Sequence, residues 1–405
     1  MKICIAGFVC NPTGGTEAGV AWNWAKAYAN LGHEVTILTH ISQRENFTSL
    51  SEPIEPRLSF EGIEIQFIGE NATKPSAPTS IISLIRMYFL YMAWMKSAMK
   101  YSNSFKFGFI HHVSWSTCRT ISKFLSRSDL VVWGPLGGGH VARIRDVPLR
   151  DKVYESIRNL SVITSRILNS RHRVQRSQNI IALSTNYSTF NYLKSIGLRD
   201  VRYELADGVR EVMLEPKTKV RTKDFDIELI WAGRVVASKR PDLAVGILEE
   251  IRKLGINAKL SFLGKGNYMP QLKSKISQSN CKSAIEVLGP VSWSESKIRI
   301  SNADFLLFTS VRDSSSPAAL EAASFGVPTF GLRINGLGDL FPSTFVLGPR
   351  HFAGEKEISK IIAAECLSLI SGTNLQFLQN EALKFARQQL WANKAKRVIQ
   401  MVEAK

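Results

Sequence analysis

Cysteine is scarce and unpatterned in this sequence. Cys4, Cys10, Cys118, Cys281 and Cys366 are scattered over 405 residues, with no Cys-x-x-Cys pair, and the seven histidines form no cluster at zinc spacing. A disulfide framework and a structural metal are therefore not indicated, and a reducing cytoplasm suits the chain. The apolar run at the N-terminus, Met-Lys-Ile-Cys-Ile-Ala-Gly-Phe, is too brief for a signal peptide. A membrane span needs roughly 20 apolar residues without an internal charge. The stretch 80–100 fails that test, because Arg86 interrupts it and Lys96 and Lys100 edge it. Its aromatics and basic margin fit a helix lying in a bilayer interface instead. A Gly-x-Gly-x-x-Gly dinucleotide fingerprint is also lacking, which disfavours a nicotinamide enzyme.

Acidic residues are the minority, 34 against 52 Lys and Arg, for a net charge of +18. Residues 81–180 hold 16 Lys/Arg against 4 Asp/Glu, so +12 sits in a quarter of the chain. Such a field favours an anionic partner. The stacking and groove-reading motifs of nucleic-acid binders are missing, so the expected partner is an anionic membrane surface rather than nucleic acid. A hydrophobic content of 44% is that of a globular protein, and the length predicts two domains with separate cores.

Both halves alternate strand and helix. Residues 3–7 read as a strand, 11–15 as a loop ending in Gly14-Gly15, 17–31 as a helix and 34–39 as a strand. Glycines at such a strand-to-helix turn let backbone approach a phosphate, although a plain tight turn needs them equally. A strand over 107–113 ends in His111-His112, and another over 129–133 leads into Gly134-Pro-Leu-Gly137-Gly138-Gly139. A histidine at this rim can meet a sugar hydroxyl, and the glycines leave room for a substrate. Since adjacent strand residues point to opposite faces, only one of His111 and His112 can do so. Residues 143–176 read as a basic helix with Val153, Ile157, Leu160, Ile163 and Ile167 on one face. Strands over 179–185 and 201–206 follow, then a linker over 215–224. A second alternating series begins at Ile227, with strands ending in Gly233-Arg234, Gly264-Lys265-Gly266 and Gly289-Pro290. Pro241 opens a helix striped with Leu243, Ile247, Ile251 and Leu254. Ligands of such sheets bind at the carboxyl ends of the strands. A helix over 381–402 closes the chain.

One stretch organises the rest, 309–332, TSVRDSSSPAALEAASFGVPTFGL. A buried strand over 303–309 leads into a polar loop carrying Asp313, Ser314, Ser315 and Ser316. Pro317 suits the first position of a helix, and Gly326 its stop. The free N–H groups and dipole of that helix start favour an anion. Asp313 in the loop and Glu321 one turn into the helix, eight residues apart, frame a site for a ligand with both phosphate and hydroxyls, such as a nucleotide-sugar.

This segment resembles the signature of family 4 retaining glycosyltransferases: a glutamate, seven residues, a second glutamate, a small-residue helix and Gly-Val-Pro. Three departures stand out. Asp313 occupies the first glutamate, Ser316 a family glycine, and Asp207 the asparagine of the hinge motif Asn-Gly-Val. The opening GG…A…L…GHEVTILT resembles the same family, and HHVS…VWGPLGGG resembles a polysaccharide-synthesis subgroup, with His140 where an acidic residue is usual. WAGRVVASKRPDL resembles the Gly-Arg…Lys segment whose cations hold the donor diphosphate.

The resemblance implies a GT-B fold: two Rossmann-like domains facing a cleft, with residues 1–215 plus the C-terminal helix 381–405 as the acceptor domain and 216–380 as the nucleotide-sugar domain. It implies donor contacts from Gly14, Gly15, Gly233, Arg234, Lys239, Gly264, Gly266, Val291, Asp313, Ser314, Ser315, Ser316 and Glu321, the last on the ribose. Gly137, Gly138 and Gly139 fall on the acceptor side, and one of His111 and His112 faces the donor sugar. Arg240, next to Lys239, is expected to be external. The leaving diphosphate gathers charge as the glycosidic bond breaks, and Arg234, Lys239 and helix N–H groups would stabilise it without metal or other cofactor. The implied reaction moves a sugar from a nucleotide-sugar to an acceptor hydroxyl with retention, the departing phosphate taking the acceptor proton. The expected acceptor is a lipid-linked glycan of bacterial capsule, O-antigen or exopolysaccharide assembly, at the cytoplasmic face of the inner membrane. A non-catalytic membrane-bound scaffold and a GT-B epimerase are the alternatives. A phosphorylase is disfavoured, because no lysine sits in a cofactor-binding motif.

Overall fold

A computed structural model describes residues 1–47, 57–69, 81–142, 152–170, 179–211, 225–351, 354–372 and 375–405. The expected linker 215–224 and both ends of the basic stretch 143–176 lie outside the described residues. The chain divides into two units, one made of Met1–Gly139, Val162–Asp207 and Trp391–Lys405, the other of His140–Ser161 and Gly208–Leu390.

The first unit opens β1(Lys2–Gly7), α1(Thr16–Asn30), β2(Glu34–His40), β3(Arg57–Phe60), β4(Ile63–Ile68), α2(Ile81–Ser102), β5(Phe109–Ser114) and β6(Leu130–Leu136). The chain continues through α3(Lys152–Ser170), which the division crosses, then β7(Ile180–Ser184), α4(Tyr187–Ser195) and β8(Val201–Tyr203). The eight strands run in the order β3-β4-β2-β1-β5-β6-β7-β8, parallel except for the β3–β4 hairpin. Strands β1 and β7 are largely apolar runs and β5 is buried along its whole length, because both faces are covered, as parallel sheets require. One face packs on α1 through Val20, Trp24 and Tyr28. The other packs on α2, whose Met87, Tyr91, Trp94, Met95 and Ala98 enter the core. The stretch expected to lie flat on a membrane is thus a core helix. Among its described side chains, an outer edge with Ile85, Tyr88 and Phe89 remains exposed.

The second unit contains β9(Ile227–Ala232), α5(Pro241–Lys253), β10(Ala258–Leu263), α6(Met269–Ser277), β11(Ile285–Gly289), α7(Trp293–Asn302) and β12(Phe305–Phe308). Then come α8(Pro317–Ser324), β13(Thr329–Gly331), α9(Asn335–Leu340), β14(Val346–Leu347), α10(Glu355–Gly372) and α11(Leu375–Gln388). Its six strands are all parallel, ordered β11-β10-β9-β12-β13-β14. The order turns back at β9–β12, where such sheets carry their ligands.

The predicted C-terminal helix is two helices. It breaks at Gln389-Leu390, and α12(Trp391–Glu403) groups with the first unit. Trp391 packs edge-on against Trp24 of α1, with ring centroids 5.4 Å apart. Lys394, fully buried, donates to Glu204 at 2.7 Å and to the Leu205 carbonyl at 2.6 Å, and Arg397 donates to the same carboxylate at 2.8 Å. Burial would raise the Glu204 carboxyl, but these two cations outweigh it and hold it below its ordinary value. Residues 140–161 and 381–390, expected with the N-terminal half, group with the second unit.

Candidate nucleotide-sugar site

At the carboxyl rim of the second sheet the strand-end loops touch backbone to backbone. Gly233 N–H donates to the Leu263 carbonyl at 3.0 Å, Gly264 N–H to the Gly289 carbonyl at 2.8 Å, and Val235 N–H to the Lys265 carbonyl at 2.9 Å. A Cβ on Gly264 would lie 1.9 Å from the Gly233 carbonyl oxygen, and one on Gly266 would lie 2.1 Å from that of Val235. Only glycine permits this approach, and Gly264 also sits at φ +128. Val291 is half-buried beyond β11, just before Ser292, which caps α7 by accepting from Glu295 N–H.

Two of these loops are stitched together. Val311 N–H donates to the Ser238 carbonyl at 3.0 Å, and the Thr309 hydroxyl donates to the Lys239 carbonyl at 2.8 Å. Lys239 then forms an ion pair with Asp313. The other Asp313 oxygen accepts from Ser316 N–H at 2.9 Å and Ser315 N–H at 3.3 Å, so this carboxylate shapes the loop that starts α8. Ser314 and Glu321 are half-buried, while Ser315 and Ser316 are buried. Ser316 takes the left-handed conformation at φ +49, which explains a glycine in the resembling motif, and its buried hydroxyl has no hydrogen-bond partner. Pro317 fills the first helical position. Small residues, Ala319, Ala322 and Ala323, let α8 pack closely.

The structure therefore assembles Gly233, Arg234, Lys239, Gly264, Gly266, Asp313, the three serines and Glu321 in one unit. Arg234 is exposed beside the Gly233 turn. Arg240, expected to be external, is instead 2% exposed: it pairs with Asp242 and Glu355 and holds the start of α5 to that of α10. Proximity in sequence to Lys239 misled, because the left-handed turn at Arg240 sends its side chain elsewhere.

Sequence reasoning missed a second group. Arg312, next to Asp313, forms a buried ion pair with Glu155 of α3 and donates to the His140 carbonyl at 3.4 Å. Arg158 loses solvent through burial, which lowers it, and it feels the like charge of Arg234. Burial and the charges of Arg312 and Arg158 push the His140 imidazole down to about 4. The one available signal was the excess of arginine in 143–176, which cannot say what faces what.

In the first unit the glycines serve packing. A Cβ on Gly14 would lie 2.8 Å from that of Ala18, whereas Gly15, at the N-cap of α1, faces open space. A Cβ on Gly138 would lie 2.9 Å from the Thr117 hydroxyl, and one on Gly139 2.7 Å from the Thr189 backbone. Gly137 exchanges backbone bonds with Ser116 and Cys118. Instead of leaving room for a substrate, Gly138 and Gly139 admit close neighbours.

Both histidines also turn inward, on opposite faces of β5. His111 Nδ1 lies 3.0 Å from the Tyr28 hydroxyl and Nε2 2.9 Å from the Gly134 carbonyl. His112 Nδ1 lies 2.6 Å from the Ser122 hydroxyl and Nε2 2.8 Å from the Ser114 carbonyl. Burial pushes His111 down to about 3 and His112 to about 4. The expectation that one of them faces a sugar is not carried by this geometry, since every ring nitrogen is engaged within the unit. Among the described residues, no group of three or more His, Cys, Asp or Glu is placed to hold a metal ion.

Residues 213–360 match the family model "Glycosyl transferases group 1". One component of the phosphatidylinositol N-acetylglucosaminyltransferase of Arabidopsis thaliana is 24% identical over 197 residues, which are 48% of this chain and 42% of that one. The alignment thus spans less than half of the relative's length. Among solved structures, HepE of Anabaena in complex with UDP and glucose superposes with a TM-score of 0.61 at 11% identity, covering 100% of both chains. The lipopolysaccharide outer core galactosyltransferase WaaB superposes with a TM-score of 0.61 at 13% identity, covering 100% of this chain and 99% of that one. The match to the group 1 glycosyl transferases thus lies within the second unit, and the whole length has the GT-B fold of two Rossmann-like domains.

Proposed function

We propose that this protein is a retaining glycosyltransferase, moving a sugar from a nucleotide-sugar to an acceptor hydroxyl without a metal. The observation that carries the reading is the pair of stitched loops, 233–240 and 309–316, at the carboxyl rim of the unit that matches the family. Arg234 and Lys239 supply positive charge there, and α8 adds the positive end of its dipole. Such groups stabilise the charge that develops on a departing diphosphate. Glu321, one turn into α8, binds the ribose, and the departing phosphate takes the acceptor proton. HepE, of the same fold, is seen with UDP, which supports a nucleotide donor.

The acceptor in this reading is a lipid-linked glycan of bacterial surface polysaccharide, met at the inner membrane face. The name of the Arabidopsis relative joins a sugar transfer to a phospholipid, and WaaB serves lipopolysaccharide, both in keeping with a lipid-bound acceptor. No helix of the described residues is long and apolar enough to cross a membrane. Attachment would be peripheral, through the basic region 81–180.

The test is thermal shift of the purified protein against UDP-, GDP-, ADP- and TDP-sugars, with and without EDTA. A ligand at 100 times its Kd stabilises by about 2.7 kcal/mol, a shift of a few degrees. One nucleotide class should raise Tm, EDTA should change nothing, and Arg234→Ala should abolish the effect. No shift with any nucleotide, in folded protein, would turn the reading towards a non-catalytic scaffold. NMR of the product anomer then decides retention.

A further inference from the structure

A transfer between two substrates needs two binding places, and the rim of the second sheet accounts for one. The first sheet has a switch point of its own. Its order β3-β4-β2-β1-β5-β6-β7-β8 runs outward in both directions from β1 and β5. The crevice outside the carboxyl ends of two such strands is where parallel sheets carry ligands. Phe8 follows β1 and Trp115 follows β5, with ring centroids 5.6 Å apart and planes at 79°. The Trp115 indole also stacks on Tyr91 of α2, 4.8 Å away, and its backbone N–H donates to the Tyr91 hydroxyl at 3.2 Å. Phe8 and Tyr91 are buried, whereas Trp115 is only half-buried. Two core rings thus hold one partly exposed indole at the switch point. Just before it, Ser114 is 2% exposed and its hydroxyl has no hydrogen-bond partner. The β1 side of the crevice is polar and uncharged. Beyond Phe8, Asn11 accepts from the Thr13 N–H at 2.9 Å and hydroxyl at 3.0 Å, and Asn46 donates to the Cys10 carbonyl at 2.9 Å. Burial raises the Tyr91 phenol, and the charge of Glu17, exposed in the first turn of α1, adds to that rise. Such surroundings suit an uncharged ligand rather than another phosphate.

We infer that Trp115 is the platform for a neutral sugar ring, that of the acceptor. A pyranose carries C–H groups on its faces and hydroxyls around its rim. The C–H groups are slightly positive and are attracted to the negative face of an indole. The hydroxyls need donors and acceptors, which amides, hydroxyls and a carboxylate supply. An aromatic plate beside a few polar side chains offers both, as ligand sites generally do. Assigning the sugar to the acceptor rests on the transfer proposed above. The acceptor contact thereby moves from Gly138 and Gly139, which admit protein neighbours, to Trp115. The receiving end of the acceptor is then an uncharged sugar, neither a phosphate nor an acidic sugar.

The test is fluorine NMR of the full chain carrying fluorotryptophan, with the Trp115 signal assigned by its loss in Trp115→Phe. The probes are the methyl glycosides of glucose, galactose, mannose and N-acetylglucosamine, with methyl glucuronide as the charged counterpart and uridine as a competing base. At least one neutral glycoside should move the Trp115 signal and bind about tenfold more tightly than the glucuronide, which Glu17 repels. In Trp115→Ala its affinity, read by saturation-transfer NMR, should fall by about tenfold or more, while Trp115→Tyr retains it. A Trp115 signal that no neutral glycoside moves overturns the inference. So do a signal moved by uridine alone, equal binding of the glucuronide, and full affinity in Trp115→Ala. The signal of the parent decides even where Trp115→Ala fails to fold. Nucleotide thermal shift on the same samples keeps the two readings apart. A nucleotide shift with a silent Trp115 sinks this inference alone. A Trp115 response without a nucleotide shift sinks the proposed reaction and leaves the sugar platform standing.

Discussion

Lys239 forms an ion pair with Asp313 across 74 residues of sequence. The ammonium assigned to the donor diphosphate is thus held by the acid that shapes the α8 loop, and diphosphate must compete with a carboxylate for it. Charged hydrogen bonds contribute about 1.5–3 kcal/mol each, so Lys239→Met should weaken nucleoside diphosphate binding by about tenfold or more. Asp313→Asn removes the competitor and should leave that binding intact or tighten it. Calorimetric titration with UDP and GDP distinguishes the two, and equal losses would reduce the pair to a loop strut.

Ser316 holds a left-handed backbone conformation with a buried, unpartnered hydroxyl. A non-glycine residue there costs about 1–2 kcal/mol, part of which glycine gives back as unfolded-state entropy. Ser316→Gly should therefore stabilise the second unit by about 1 kcal/mol. Denaturant unfolding measures it, and an unchanged midpoint would argue against strain at this residue.

One glycine at the carboxyl rim and one at the opposite edge of the sheet allow a controlled comparison. Gly255 and Gly264 both have positive φ, +84 and +128, but a Cβ on Gly255 meets nothing within 4 Å. Gly255→Ala should cost about 1 kcal/mol, the backbone term alone. Gly264→Ala adds collision with the Gly233 carbonyl and should cost about 2–4 kcal/mol. Similar losses of Tm in the two variants would show that the loops can part freely.

The Glu155–Arg312 pair is buried at both ends, with side chains 6% and 9% exposed. Glu155→Gln takes a buried counter-charge from Arg312, so it should destabilise by about 3 kcal/mol. Glu155→Leu combined with Arg312→Met should cost clearly less. A double-mutant cycle in urea reads the difference, and additive losses would contradict the coupling.

Acid should weaken the first unit before its carboxylates titrate. His40 and His112 are pushed down to about 4 and His111 to about 3, each by burial, from an ordinary 6.5. The unfolded chain takes up these protons below 6.5 and the folded chain does not, so stability falls as pH drops through that window. Each histidine accounts for about 2 kcal/mol by pH 5. Glu204 adds a later loss, because its depressed carboxyl contributes stability above its ordinary 4.5 that disappears as pH falls further. Urea midpoints at pH 7.5 and pH 5 check the first effect, and a flat profile between them would refute it.

Strand and helix alternation was legible because parallel strands buried on both faces read as apolar runs, as in β1 and β9. Pro317 and Gly326 marked α8 for local reasons, a missing N–H and a positive φ. The loop that frames the site, with Asp313 and Glu321 eight residues apart, was therefore visible within one stretch. So was the apolar stripe of α3, since helical spacing alone places Val153, Ile157, Leu160 and Ile167 together.

Spacing cannot say which way a stripe points. That outcome depended on Glu155, Asn159 and Asn169 finding partners far away in the chain, which turned the polar side inward. His111 and His112 were expected at a strand end but lie in the middle of β5, and their saturation by Tyr28, Gly134, Ser122 and Ser114 is a property of neighbours that only folding brings together. Arg240 was misplaced for the same reason, its second partner Glu355 lying 115 residues on. The sequence by itself determined which elements form and where the backbone turns, because those follow from local sterics and periodicity. Tertiary structure alone decided which polar groups are engaged and which apolar ones stay in water, because both depend on long-range contacts.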